Sequence, residues 1–96
     1  MLEDMELAYP DYSNDAEKLE LWVDASARGA GAYLAQNQND SHRVIGFASM
    51  TFSSTQLNYS TLERELTALR WGVKTFKPFL YAVPFIIYTD HQPLVY

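Results

Sequence analysis

With 96 residues, 48% of them hydrophobic and 15% aromatic, the chain has apolar material for one small folded domain and too much for a disordered segment. No apolar run approaches the roughly 20 residues a membrane span requires, and an acidic start without an apolar stretch is unlike a signal peptide. The absence of cysteine excludes disulfides, thiolate zinc sites and cysteine nucleophiles, and suits a reducing intracellular compartment.

The net charge of −5 is unevenly placed. Residues 1–20 carry seven carboxylates against Lys18 alone, whereas the rest of the chain carries six basic groups against five acidic ones. Residues 1–18 therefore read as an acidic leader or linker, with Pro10 and Ser13-Asn14-Asp15 breaking periodicity, and residues 19–96 as the domain. A nearly neutral body argues against strong non-specific phosphate binding by this piece alone.

From Leu19 the chain alternates: Leu19, Leu21 and Val23 against Glu20 and Trp22, a strand that ends at Asp24. Ala25 to Gly29 is turn material, Gly31 to Gln36 a second strand, Asn37 to Ser41 a hairpin turn, and Arg43 to Met50 a third strand. Ser60 and Glu63 have the spacing of a capping box, and Leu62, Leu66, Leu69, Val73, Phe76 and Leu80 follow at helical spacing as the stripe expected to lie on the core. Pro78 ends or kinks this helix. Phe85 to Tyr88 reads as a buried strand leading into Thr89-Asp90. A strand–helix–strand unit favours parallel pairing with a right-handed crossover. The expectation is an α/β fold: an antiparallel three-strand meander, a long helix, then a strand parallel to the first. The large aromatics, Trp22, Tyr33 and Phe47 among them, read mostly as core.

Three acids stand out by position. Asp24 and Asp90 end strands that would be parallel neighbours, at the carboxyl edge where α/β sites gather. Glu65 lies near the start of the helix, on the flank turned toward the sheet. Converging carboxylates repel unless a cation joins them, and an all-oxygen set favours Mg²⁺ or Mn²⁺ over zinc. Such an ion shares its shell with phosphate, which points to phosphodiester chemistry. Each acid also has a plainer reading alone: Asp24 as a turn former, Glu65 as a helix charge paired with Arg64 or Arg70, Asp90 as a turn or cap.

The segments Leu21-Trp22-Val23-Asp24-Ala25-Ser26 and Gly29 to Leu34 resemble the opening of the ribonuclease H domain of reverse transcriptases. Asn58 to Leu66, with Ala68 and Trp71, resembles that domain's first helix, and Tyr88 to Leu94 the strand-end motif after it. The forms are closest to gypsy-type long-terminal-repeat retroelements, and the resemblance runs over about residues 19–96. It implies an incomplete ribonuclease H-like fold and metal-dependent hydrolysis of the RNA strand of an RNA–DNA hybrid, by two Mg²⁺ (or Mn²⁺) ions and four acids. Asp24 matches the acid that bridges both ions, and Glu65 and Asp90 the further ligands of the second. The family's fourth acid follows one more strand, on a C-terminal helix. With the chain ending at Tyr96, that acid, strand and helix are expected to be missing and the fragment to cleave poorly.

Within that fold, Arg28 and Gly29 near the first acid, and Asn58, Ser60 and Thr61 at the helix entrance, are the candidate substrate-binding residues, through phosphate and 2′-hydroxyl contacts. The implied partners are the hybrid and the polymerase domain of the same polyprotein, inside the cell or in a virus-like particle. The expected last strand, rich in Phe85, Ile86 and Ile87, would be an open sheet edge through which copies of the chain pair. The alternative is a non-catalytic tether or a domesticated interaction module of the same fold.

Overall fold

The computed structural model describes residues 7–89 and 92–95. Strands β1 (Leu19–Ala25), β2 (Gly29–Gln38) and β3 (Ser41–Thr51) form the meander, followed by a 3₁₀ turn at Gln56–Asn58 and helix α1 (Thr61–Thr75). A short helix α2 (Lys77–Leu80) leads to β4 (Phe85–Thr89) and β5 (Gln92–Val95). The five strands are ordered β3-β2-β1-β4-β5, with β4 parallel to β1 and every other pair antiparallel. The meander, the long helix and the parallel crossover are as the sequence predicts.

The β2–β3 turn takes only two residues, Asn39 and Asp40, both at positive φ (53° and 64°). That is the pairing whose twist suits a hairpin, so both strands run further than their composition suggests. Alternation sends Leu19, Leu21 and Val23 of β1, with Ala30, Ala32 and Leu34 of β2, into one core with Ile45, Phe76, Leu80 and Ile87. Full burial of such aliphatic side chains is worth about 1.5–3 kcal/mol each.

Ser60 caps α1 reciprocally: its hydroxyl accepts from the Glu63 N–H at 3.2 Å, and its own N–H donates to the Glu63 carboxylate at 2.9 Å. The face α1 buries, however, is not the leucine stripe. Leu62 and Leu66 are 63% and 51% exposed, while Ala68 and Gly72 are buried. A Cβ on Gly72 would lie 3.0 Å from Val23 Cγ2 and 3.8 Å from Ala32 Cβ, so the missing side chain lets the helix backbone settle against the sheet. That close seat turns Leu62 and Leu66 outward and leaves Leu69 and Val73 on the flank. Of the stripe, Phe76 and Leu80 are buried in the core, and Leu69 and Val73 are partly buried against it.

Two further expectations are corrected. The strand Phe85–Thr89 is not a sheet edge, because β5 pairs along it in antiparallel register from Thr89↔Gln92 to Ile86↔Val95. The open edge rich in Phe85, Ile86 and Ile87 does not exist, and the pairing of copies through it loses its basis.

The acidic leader is tied down from Ala8 to Glu17. The Ala8 N–H donates to the Val44 carbonyl at 2.8 Å, Gln38 Nε2 donates to the Tyr9 carbonyl at 2.8 Å, and the Tyr12 hydroxyl donates to the Phe79 carbonyl at 2.7 Å. At the centre sits Gln36, 1% exposed. Its Oε1 accepts from the Asp11 N–H at 2.8 Å, and its Nε2 donates to the carbonyls of Asp11 (2.8 Å) and Glu17 (2.7 Å).

Candidate functional site

Asp24 is the penultimate residue of β1. Val23 meets α1 at Gly72, so strand alternation turns Asp24 to the opposite face of the sheet, where it is exposed. Its carboxylate makes no hydrogen bond or ion pair with another described residue. Two clefts share it. One, of about 610 Å³, is lined by Trp22, Asp24, Gly31, Tyr33, Phe47 and Ser49. The other, around the β1–β2 turn, is lined by Asp24, Ser26, Arg28, Met50 and Thr51 among others.

The direction of α1 locates Glu65. Gly72 lies over Val23 and Ala32, which are register partners. Phe76 lies beside Gly46, which pairs with Leu34, itself the partner of Leu21. Four residues further along the helix is thus two residues back along β1, and the two run antiparallel. Glu65, seven residues before Gly72 and roughly 10 Å up the axis, lies toward the carboxyl end of β1. It is half-buried, on the side of α1 that carries Ala68 and Gly72.

Asp24 and Glu65 therefore occupy the same end of the sheet, approached from opposite faces. Asp90 follows Thr89 directly in the chain but lies outside the described residues, as does His91. Among the described residues no group of three carboxylate or imidazole side chains converges to hold a metal. The donor chemistry is suited to one all the same: Asp24 offers unengaged anionic oxygens in an open cleft, the kind of ligand Mg²⁺ and Mn²⁺ take.

The candidate substrate contacts separate. Arg28 is exposed and shares a cleft with Asp24, in a turn held by Ser26, whose Oγ accepts from the N–H groups of Arg28 (3.3 Å) and Gly29 (3.2 Å). Gly29 is accounted for by packing: a Cβ there would stand 2.2 Å from the Met50 carbonyl oxygen, so its close approach is to β3. Asn58, Ser60 and Thr61 are exposed at the start of α1, at the Glu65 end, and the Ser60 hydroxyl is engaged in the cap.

Sequence reasoning missed an aromatic row. Phe47, Tyr33, Trp22 and Tyr88 are successive register partners across β3, β2, β1 and β4, on the face away from α1. Trp22 stacks on Tyr88 with ring centroids 4.1 Å apart and lies parallel to Tyr33 at 5.7 Å. His42 meets Trp22 and Tyr33 edge-on. Trp22, Tyr33 and Tyr88 are half-buried and Phe47 is 44% exposed, so Trp22, Tyr33 and Phe47 are not core as expected, whereas Phe52 and Phe76 are. Beside the row, two residues before Trp22 on β1, Glu20 is 8% exposed and accepts from Trp22 Nε1 at 3.1 Å. Burial, and secondarily the Glu20 charge, push the Tyr33 phenol above its ordinary value. The alternation of β1 was the available signal for Trp22; the row itself needed the register of four strands.

Residues 14–96 match the family described as the RNase H-like domain found in reverse transcriptase. The chain is 39% identical over 90 residues to the retrovirus-related Pol polyprotein from transposon 412 of Drosophila melanogaster, covering 94% of this chain and 7% of that one. It is 42% identical over 95 residues to the Pol polyprotein from transposon gypsy of the same organism, covering 98% of this chain and 8% of the relative. The fold is similar to that of the foamy viral protease-reverse transcriptase in complex with RNA/DNA hybrid, with a TM-score of 0.61, 21% identity, and coverage of 79% of this chain and 10% of that one. The chain thus spans less than a tenth of the polyproteins it matches.

Proposed function

The chain belongs to the RNase H-like domain family of reverse transcriptases, and from that premise we propose that it serves a retroelement polyprotein as a metal-dependent nuclease for the RNA strand of RNA–DNA hybrids. The observation that carries this reading is Asp24: an unengaged carboxylate at the exposed carboxyl end of β1, sharing one cleft with Arg28, with Glu65 at the same end of the sheet. Asp24, Glu65 and Asp90 would hold Mg²⁺ or Mn²⁺. When bound, the ion lowers the pKa of attacking water and offsets charge on the phosphate. Arg28 offers a guanidinium for a neighbouring phosphate, and Asn58 and Thr61 present polar groups for ribose at the entrance of α1. Within the polyprotein the domain acts beside the polymerase, inside the cell.

An open carboxylate without a structural partner argues for a site over a tether. The test is the pair Asp24→Asn and Glu65→Gln, read by Mn²⁺ calorimetry, thermal unfolding and cleavage of a labelled hybrid. The expected result is loss of Mn²⁺ binding and of any metal-dependent cleavage, with the unfolding midpoint unchanged or raised. Marked destabilisation, or Mn²⁺ binding that persists in both variants, refutes the proposal.

A further inference from the structure

Arg64 is half-buried on the first turn of α1, and its Nη1 donates to the Tyr59 carbonyl at 2.6 Å. A bond this short from a charged donor belongs to the strong, charge-assisted class. Its acceptor is a neutral carbonyl five residues back, outside the helix. Ser60 already caps α1, so the start of the helix does not by itself account for this contact.

What the bond fixes is a joint between two bonded pieces of chain. Residues 53–59 hold one another: Gln56 Oε1 accepts from the Ser53 N–H at 3.0 Å, and Ser53 Oγ accepts from the Gln56 N–H at 3.2 Å. The N–H groups of Leu57, Asn58 and Tyr59 donate to the carbonyls of Ser53, Thr55 and Gln56 at 2.9, 3.1 and 3.0 Å. Tyr59 and Ser60 then run extended, at φ −69°, ψ 153° and φ −64°, ψ 167°, before α1 begins. The Arg64 guanidinium reaches back across these two residues and ties the first piece to the second.

We infer that Arg64 is a positioning residue for the helix entrance: by holding residues 53–59 against α1, it fixes Asn58 relative to Thr61 and Glu65. This rests on the nuclease reading and deepens it. Asn58 Nδ2 donates loosely to the Ser54 carbonyl at 3.5 Å, which leaves Oδ1 to accept from a ribose 2′-hydroxyl. Asn58 belongs to the first piece, and Thr61 and Glu65 belong to the helix. Two ribose contacts and a metal ligand therefore keep one spacing only while the joint keeps its angle. A polynucleotide has a fixed repeat, and contacts set to it lose their fit on a displacement of about 1 Å.

The test separates position from charge. Arg64→Met keeps the apolar stem and removes every donor, whereas Arg64→Lys keeps a charge and a donor for the carbonyl. Both are compared with Asp24→Asn in the 96-residue chain. Affinity for a labelled RNA–DNA hybrid with Mn²⁺ is measured across a salt series, and Mn²⁺ binding is measured alone. Every measurement is made well below the variant's unfolding midpoint, where a purely structural role leaves affinity unmoved. Arg64→Met is expected to weaken hybrid binding about fivefold, the scale of one lost hydrogen bond, with Mn²⁺ affinity and salt slope at wild-type values. Arg64→Lys restores binding to within about twofold. Wild-type affinity in Arg64→Met, alongside a weakened Asp24→Asn, overturns the positioning role and leaves the nuclease reading standing. So does a lysine variant as weak as the methionine one. A salt slope shallower by about one in Arg64→Met also overturns it, because the guanidinium is then itself a phosphate ligand. Unchanged affinity in Asp24→Asn, or no hybrid binding by the wild-type chain, overturns both.

Discussion

Replacing Gln36 by leucine tests whether the acidic leader is part of the folded unit. The substitution keeps the apolar volume and removes three hydrogen bonds to the leader, two to Asp11 and one to Glu17, plus one from Gln38 Nε2 to Gln36 Oε1 at 2.8 Å. At about 0.5–1.5 kcal/mol net for each bond, the ceiling is roughly 2–6 kcal/mol. Asp11 and Glu17 are exposed, so the leader can lift away and hydrate, which caps the loss at its own docking energy. A cost of about 2–3 kcal/mol follows, a sizeable share of the roughly 5–14 kcal/mol total for a domain of this length. Urea unfolding followed by tryptophan fluorescence measures the loss, and amide exchange at Asp11 reports whether the leader has lifted. Deleting residues 1–17 should cost about as much, and Gln36→Leu should add little to the deletion, because both remove one contact set. A loss below about 0.5 kcal/mol with the Asp11 amide still protected would refute the idea that Gln36 holds the leader.

Other consequences follow from the same contacts. Gly72→Ala gains about 1 kcal/mol of helix propensity but presses a methyl against Val23, a β-branched, buried side chain with little rotamer freedom, so a net loss of about 1 kcal/mol is expected in chemical denaturation; a more stable variant would contradict the close helix–sheet seat. Ser60→Ala should cost about 1 kcal/mol at neutral pH through loss of the cap, measured by the same denaturation. The backbone N–H of Ser60, and then its side chain, hold the Glu63 carboxyl below its ordinary 4.5. The stability this carboxylate contributes is therefore complete above that value and lost as pH falls through the depressed one. Glu63→Gln should flatten the acid limb of the stability profile, and an unaltered limb would show that the capping box carries no such linkage.

Local pattern determined the elements. The Ser60–Glu63 spacing marked the start of α1, alternation from Leu19 marked β1, and the turn composition of Asn37 to Ser41 marked the hairpin, because each signal lies within a few residues of what it specifies. The motifs around Asp24 and Glu65 were legible for the same reason. Tertiary structure alone decided three things. Which face α1 buries was settled by how closely Ala68 and Gly72 allow it to approach the sheet, and periodicity favoured the bulkier leucines. The aromatic row exists only when β3, β2, β1 and β4 stand in register, pairing residues as distant as Trp22 and Tyr88. The docking of the leader depends on Gln36 lying buried beneath it, 25 residues beyond Asp11. Periodicity along one segment reports that segment's own geometry; contacts between segments depend on how they pack together.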